Sequence, residues 1–384
     1  MDTQQLSQRL SSLVVFRDLR KDPVMASMEA MLKEPDQAEL VAEFCATLFE
    51  KTTDWSKYLL KIVVESENMC IRSAAKKGMD SVLATCLDQE LAFLQTLSQV
   101  TLSDVTGLAF LPAWKTQTLD FAGQYALRME QVGQKGYGLF AKYHVFTVEG
   151  TTLVPVRHPD GQALSQLTGY EREQAKIVAN TEALLEGRPC NNVLLYGDAG
   201  TGKSSAVKAI ANLYADRGLR LVEVKKNQLY QIPSIVEELA SNPLKFILFI
   251  DDLSFTANDD NFAALKAILE GSVSGKSDNL AVYATSNRRH LVKECMSDRT
   301  GDDIHESDTR QELMSLAARF GLTITFLQPD KDKYESIVLA LAEEYGVEVD
   351  DMLLIHAKAF AQRSGGRSPR AAKQFIQLRK AGVV

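Results

Sequence analysis

The sequence predicts an α/β fold: a parallel sheet wrapped by helices, preceded by a mainly helical N-terminal region and followed by a small helical lid. Three observations carry this expectation. From about residue 165, short and nearly continuous apolar runs alternate with amphipathic helical stretches, the pattern of a parallel sheet covered on both faces. Residues 1–130 and 330–384 show apolar residues at helical spacing instead. A glycine-rich loop stands between the first apolar run and the helix after it. The expected domains are 1–150, 151–328 and 329–384.

Taken in chain order, SMEAMLKEPDQAELVAEFCATLFE, WSKYLLKIVVESENM and SVLATCLDQELAFLQTLSQV each present one apolar helical face. They contain no catalytic motif, and Trp55 and Trp114 are expected as core anchors. GYGLFAKYHVFTV reads as a helix end running into a strand. VFTVEGTTLVPV then reads as a small hairpin turning at Glu149-Gly150. HPDGQ (158–162) is a turn and a candidate linker. GYEREQAKIVANTEALLEG opens the alternating region as a helix ending at Gly187. The strands NNVLLYG, LRLVEV, FILFIDD, LAVYATSN and LTITF follow, with helices between them. Three amphipathic helices, broken at VEVDD and SGGRSP, form the lid.

Composition narrows the function classes. With 45% hydrophobic and 24% charged residues the chain is ordinary for a globular protein. Its net charge of -7 argues against a role in coating nucleic acid, although not against a local basic patch. The five cysteines are dispersed and form no C-x-x-C pair, which argues against a disulfide framework or a zinc site. The N-terminus lacks the basic and apolar segments of a signal peptide. No stretch is apolar for long enough to span a bilayer. A soluble, cytoplasmic protein without membrane partners is the expectation.

The strongest local signal is GDAGTGKS, which matches G-x-x-x-x-G-K-[ST], the phosphate-binding Walker A pattern, in a strand–loop–helix setting. Gly197, Gly200 and Gly202 allow positive φ and close approach of the backbone to a phosphate. The amides that follow point along the positive end of a helix dipole. Contacts to ATP are therefore expected from Gly197, Asp198, Ala199, Gly200, Thr201, Gly202, Lys203, Ser204 and Ser205. Lys203 reaches the β- and γ-phosphates, and Ser204 offers its hydroxyl to Mg²⁺.

FILFIDD supplies the acidic side of the site. A buried strand that ends in two adjacent acids implies a cation nearby. Asp251 is the expected Mg²⁺ partner and Asp252 the residue that polarises the attacking water. LAVYATSN ends in Thr285, Ser286 and Asn287; Asn287 is the first choice to orient that water and Thr285 the second. Arg288, Arg289 and His290 are read as a solvated turn, with contact to a neighbouring subunit or a phosphate as the alternative. His305, among the acids of DDIHESD, is read as part of an acidic loop. Arg319, just before the fifth strand, is a candidate arginine finger acting in trans. Ser368 and Pro369 are a good N-cap and first helical residue. They place Arg370 in the first turn of a lid helix, over the γ-phosphate, with Lys373 one turn along. Leu167, Thr168, Gly169 and Tyr170 are candidates for the base end of the nucleotide.

Together NNVLLYGDAGTGKSSAVKAI, LRLVEV, KFILFIDDLSF, ALKAILEG, VYATSNRRHL, SLAARFGLTITF and SGGRSPRAAKQFI resemble one family, the predicted bacterial AAA+ ATPases known as domain of unknown function 815. The resemblance covers roughly 150–384, and the N-terminal part more loosely. It implies an AAA+ core with a helical lid, and it makes the Asp-Asp pair a family feature, although most AAA+ proteins carry Glu second. This chain differs at Ala318, where the family tends to carry Asp before Arg-Phe-Gly. The expected function is ATP hydrolysis to ADP and phosphate that remodels an unidentified protein or nucleic-acid client, in a homo-oligomer for which a hexameric ring is one arrangement. The alternative is a slow or non-hydrolysing nucleotide-dependent switch. A kinase or ligase ranks last, because no acceptor site is evident.

Overall fold

The structure is a computed structural model that describes residues 2–75, 78–108, 110–253, 261–270, 278–287 and 318–384. The chain forms two compact units, Met1–Lys142 and Tyr143–Val384.

The first unit is helical. Its longer helices are Thr3–Ser11, Pro23–Lys33, Ala38–Phe49, Trp55–Glu65, Ser81–Leu97 and Phe121–Glu130. Asp22 caps the second of these by accepting from the amides of Val24 and Met25, with Pro23 at the first helical position. The two tryptophans are core anchors. Phe44 packs edge-on against both, with ring centroids 5.3 Å from Trp55 and 4.8 Å from Trp114. Both indole N–H groups are satisfied by backbone: Trp55 donates to Leu97 O at 3.0 Å and Trp114 to Val100 O at 2.8 Å. The carboxylate of Glu90 accepts from the amides of Val14, Val15 and Phe16, so a buried acid closes the N-terminal loop.

The second unit holds a seven-stranded sheet of β1 (Val145–Glu149), β2 (Thr152–Pro155), β3 (Val193–Gly197), β4 (Leu219–Val224), β5 (Lys245–Ile250), β6 (Leu280–Ser286) and β7 (Leu322–Phe326). Their order is β2-β1-β4-β5-β6-β3-β7. The hairpin β1–β2 is antiparallel, with Gly150 at φ +59°, and every other pairing is parallel. The hairpin thus extends the main sheet through β1 and β4, and the turn at 158–162 lies inside this unit. Strands β3 to β6 are almost wholly buried, which is why they read as unbroken apolar runs rather than alternating ones.

The strand order decides where chemistry can happen. After β3 the chain leaves for β4, which is separated from β3 by β5 and β6. Crevices outside the carboxyl ends of parallel strands form at such points. The ends of β3, β5 and β6 carry the glycine loop, the paired acids and Asn287. Helix Glu171–Leu185 is tied to the sheet by polar contacts: the buried Tyr283 hydroxyl lies 2.8 Å from Thr181 Oγ1 and accepts from Asn180 Nδ2 at 3.0 Å. Burial raises the Tyr283 pKa to about 12.

Helices Lys331–Tyr345, Leu353–Arg363 and Pro369–Lys380 form the lid around a core that includes Tyr334, Ile337, Leu353, Phe375 and Ile376. Gly346 ends the first of them at φ +64°. Among the described residues no helix is long and apolar enough to cross a membrane. Tyr283→Phe removes the hydroxyl that Asn180 and Thr181 share; it is expected to lower the unfolding free energy by about 1–3 kcal/mol in a denaturant titration, since their buried polar atoms lose a partner.

Candidate functional site

The glycine loop has the backbone its residue types permit. Gly197, Gly200 and Gly202 stand at φ +138°, +75° and +93°. At Gly197 a Cβ would overlap the carbonyl of Phe326 on the neighbouring strand, so only glycine fits where β3 and β7 run side by side. Gly202 is the N-cap of helix Lys203–Leu213, and the buried Thr201 closes the loop by donating to Asp198 O at 2.8 Å.

Lys203 is 6% exposed, and its ammonium donates to three acceptors: Gly197 O at 2.9 Å, Asp198 O at 2.7 Å and Asn287 Oδ1 at 2.9 Å. Burial lowers its pKa, and the charges of Asp198, Asp251 and Asp252 oppose that shift. The loop therefore keeps its cation folded inward on its own carbonyls.

The acids come from β5. Asp251 Oδ1 accepts from Ser204 Oγ at 2.6 Å and from Thr285 Oγ1 at 2.5 Å, which joins the loop helix, β5 and β6 at one oxygen. Asp252 is the only non-glycine residue at positive φ among the described residues, at +51°. Its amide donates to Thr285 Oγ1 at 2.9 Å, and its carboxylate accepts from Asn287 Nδ2 at 2.9 Å. Thr285 thus serves both acids, and Asn287 links Asp252 to Lys203. The parallel register carries Asp251 beside Thr285 because Ile250 pairs with Ala284.

These groups face one cleft of about 440 Å³. Residues 199–205 form its floor, Asp251, Asp252, Thr285 and Asn287 one wall, and Arg370 with Lys373 the rim contributed by the lid. The far end is more apolar: Leu167, Thr168 and Tyr170 on the core face Ile337 and Leu341 on the lid. The Tyr170 ring stacks on Phe326 with centroids 5.2 Å apart, lies under Lys333 Nζ at 3.9 Å, and is buried. Burial raises its hydroxyl pKa.

Most residues singled out in the sequence gather here. Gly197, Asp198 and Arg319 do not line the cleft. Gly197 shapes the loop from the strand side, and the Asp198 carboxylate accepts from Gln328 N at 2.6 Å. Arg319 is half-buried at the entry to β7, the opposite end of the strand from the loop; five strand residues put it roughly 15 Å away. Arg370 stands in the first turn of helix Pro369–Lys380, whose N-cap Ser368 accepts from Ala371 N at 3.1 Å, and Arg370 N donates to Gly200 O at 3.2 Å. Arg288, Arg289, His290 and His305 lie outside the described residues. Gln162, Gln166, Gln174, Phe326, Ile337 and Leu341 also line the cleft, and none of them stands out as a site residue in the sequence. The i, i+4 spacing of Ile337 and Leu341 was visible, but it is also what a lid core requires.

A family described as "Protein of unknown function (DUF815)" matches residues 140–382. Among solved structures, the RuvB Holliday junction branch migration motor of Thermotoga maritima aligns at 18% identity and a TM-score of 0.38, covering 56% of this chain and 63% of that one. Two substituted forms of the same motor align with the same coverage and identity, at TM-scores of 0.38 and 0.37. The alignment thus spans less than two thirds of that protein.

Gly197→Ala is expected to lower the thermal midpoint clearly, because the φ region alone costs about 1–3 kcal/mol and the Phe326 carbonyl must move as well. Gly161→Ala, with open space around its Cβ and no positive φ, should leave the melt unchanged.

Proposed function

We propose that this chain, which belongs to the DUF815 family of proteins of unknown function, is an AAA+ ATPase that hydrolyses ATP to ADP and phosphate. The observation that carries the reading is the convergence of Lys203, Asp252 and Asn287 at the end of three neighbouring strands, beside the Ser204–Asp251 pair. The cleft fits a nucleoside triphosphate with Mg²⁺: a glycine loop for the phosphates, a hydroxyl and a carboxylate already adjacent for the cation, and a more apolar far end for the base. Ser204 and Asp251 would hold Mg²⁺, which would supply positive charge to the β- and γ-phosphates.

Lys203 exchanges its contacts to Gly197 O, Asp198 O and Asn287 for the phosphate oxygens. That exchange releases Asn287, whose amide then helps Asp252 place a water in line with the γ-phosphorus. Asp252 accepts a hydrogen bond from that water, whose oxygen attacks the γ-phosphorus as the bond to the β–γ bridging oxygen breaks; ADP leaves with that oxygen and the phosphate formed keeps the water's protons. Arg370, on the rim of the cleft, neutralises charge on the γ-phosphoryl group from within the same chain. Arg319 is too far from its own loop to take part there, which supports a role at the site of a second copy in a homo-oligomer. The ATP cycle would then move the lid against an unidentified client.

Steady-state hydrolysis measured over a range of protein concentrations tests this reading. Turnover per chain should rise with concentration, fall at least about a hundredfold in Lys203→Ala, and fall by about a thousandfold in Arg319→Ala. ATP binding with no turnover above the Lys203→Ala background would favour a nucleotide-dependent switch, as would the shorter Asp at position 252 where most AAA+ proteins carry Glu.

A further inference from the structure

Core and lid are joined through Leu327 and Gln328, which follow β7 and precede helix Lys331–Tyr345. The Leu327 side chain does not anchor this connection. Leu327 is 65% exposed, and Gln328 is exposed as well. Their shared peptide unit is instead held on both sides. Its carbonyl, Leu327 O, accepts from the Tyr170 hydroxyl at 2.6 Å. Its N–H, on Gln328, donates to Asp198 Oδ2 at 2.6 Å. Tyr170 comes from the base end of the cleft and Asp198 from the phosphate loop.

Both grips extend further. The Asp198 amide donates to Phe326 O at 3.0 Å, so this residue holds the chain on both sides of Leu327. Tyr170 is wedged between Phe326 and Lys333, one residue on each side of the connection. The Gln328 side chain rests on Gly366, where a Cβ would overlap its amide nitrogen. Gly366 begins the loop that leads to Arg370, whose amide returns to Gly200 O. A closed circuit of contacts therefore runs from the phosphate loop through one peptide unit to the lid and back.

We infer that Tyr170 and Asp198 are positioning residues that clamp the Leu327–Gln328 peptide, so that the conformation of the phosphate loop sets the angle of the lid and the approach of Arg370. Neither has to touch the nucleotide to do this. The Asp198 carboxylate keeps its charge; turned onto Gln328 N, it spends its hydrogen-bonding capacity on the connection. The inference rests on the ATPase reading for its consequence in catalysis, while the contacts of the clamp are made entirely by residues of this chain.

Amide hydrogen exchange on the full ligand-free chain tests the clamp. Asp198→Ala should speed exchange at Gln328 and along Lys331–Tyr345 while leaving Glu171–Leu185 unchanged. Asp198→Asn keeps an oxygen acceptor and should restore protection. Tyr170→Phe keeps the stacking and should loosen the same segment. In steady-state turnover, Asp198→Ala should lower kcat by about tenfold with KM within about threefold. The double variant Asp198→Ala, Tyr170→Phe should be little worse than either single one, since both act on one peptide unit. Unchanged exchange in Asp198→Ala would overturn the clamp, and so would a raised KM with kcat intact, which would make Asp198 a direct nucleotide ligand. If the wild type shows no turnover above Lys203→Ala, the ATPase reading falls, while the exchange comparison still decides the clamp.

Discussion

The second unit is organised around one carboxylate oxygen. Asp251 Oδ1 receives hydroxyl hydrogen bonds from Ser204 on the loop helix and Thr285 on β6, each within 2.6 Å. A charged group at the end of an apolar strand is costly unless it is satisfied, and these bonds satisfy it. They can form only if β5, β6 and β3 are adjacent in that order, with their carboxyl ends level. The parallel registers deliver this: Ile250 pairs with Ala284, and Leu195 pairs with Thr285. The same alignment sets Asn287, at the end of β6, between Lys203 and Asp252.

The sheet was legible in the sequence because its strands are buried on both faces. VLLYG, LRLVEV and KFILFI are short, rich in β-branched and aromatic residues and set between helical stretches, which favours covered parallel strands over buried helix. The glycine loop was legible for a different reason: its backbone takes positive φ at Gly197, Gly200 and Gly202, and glycine is the residue that reveals such a conformation directly. The acids were visible because charge at the end of an apolar run is conspicuous. Thr285 is the instructive case. As a strand-end residue it read as a second choice for orienting water, yet in the fold its hydroxyl joins Asp251 to the Asp252 amide. Only the strand register reveals that, and register is not written in one strand alone.

The lid side of the cleft was the least legible. Ile337 and Leu341 look like any apolar residues on a helix, and their exposure to the cleft depends on how the lid meets the core within this unit. The role of Asp198 was hidden for the same reason: the loop pattern accepts any residue there, and its partner lies 130 positions away in sequence. The N-terminal unit shows the reverse. Its helices and tryptophan anchors follow from spacing, while its polar contacts, such as Glu90 holding three amides, depend on the tertiary fold.

ATP hydrolysis by this chain requires that the cleft hold a nucleotide together with a cation on Ser204 and Asp251. An equilibrium titration of the full chain with ATP, carried out in Mg²⁺ and again with the metal chelated, addresses this most directly. Saturable binding is expected, weakening markedly without Mg²⁺ and losing most of that metal dependence in Asp251→Asn. Binding of equal strength with and without Mg²⁺, or no binding in either condition, would contradict it.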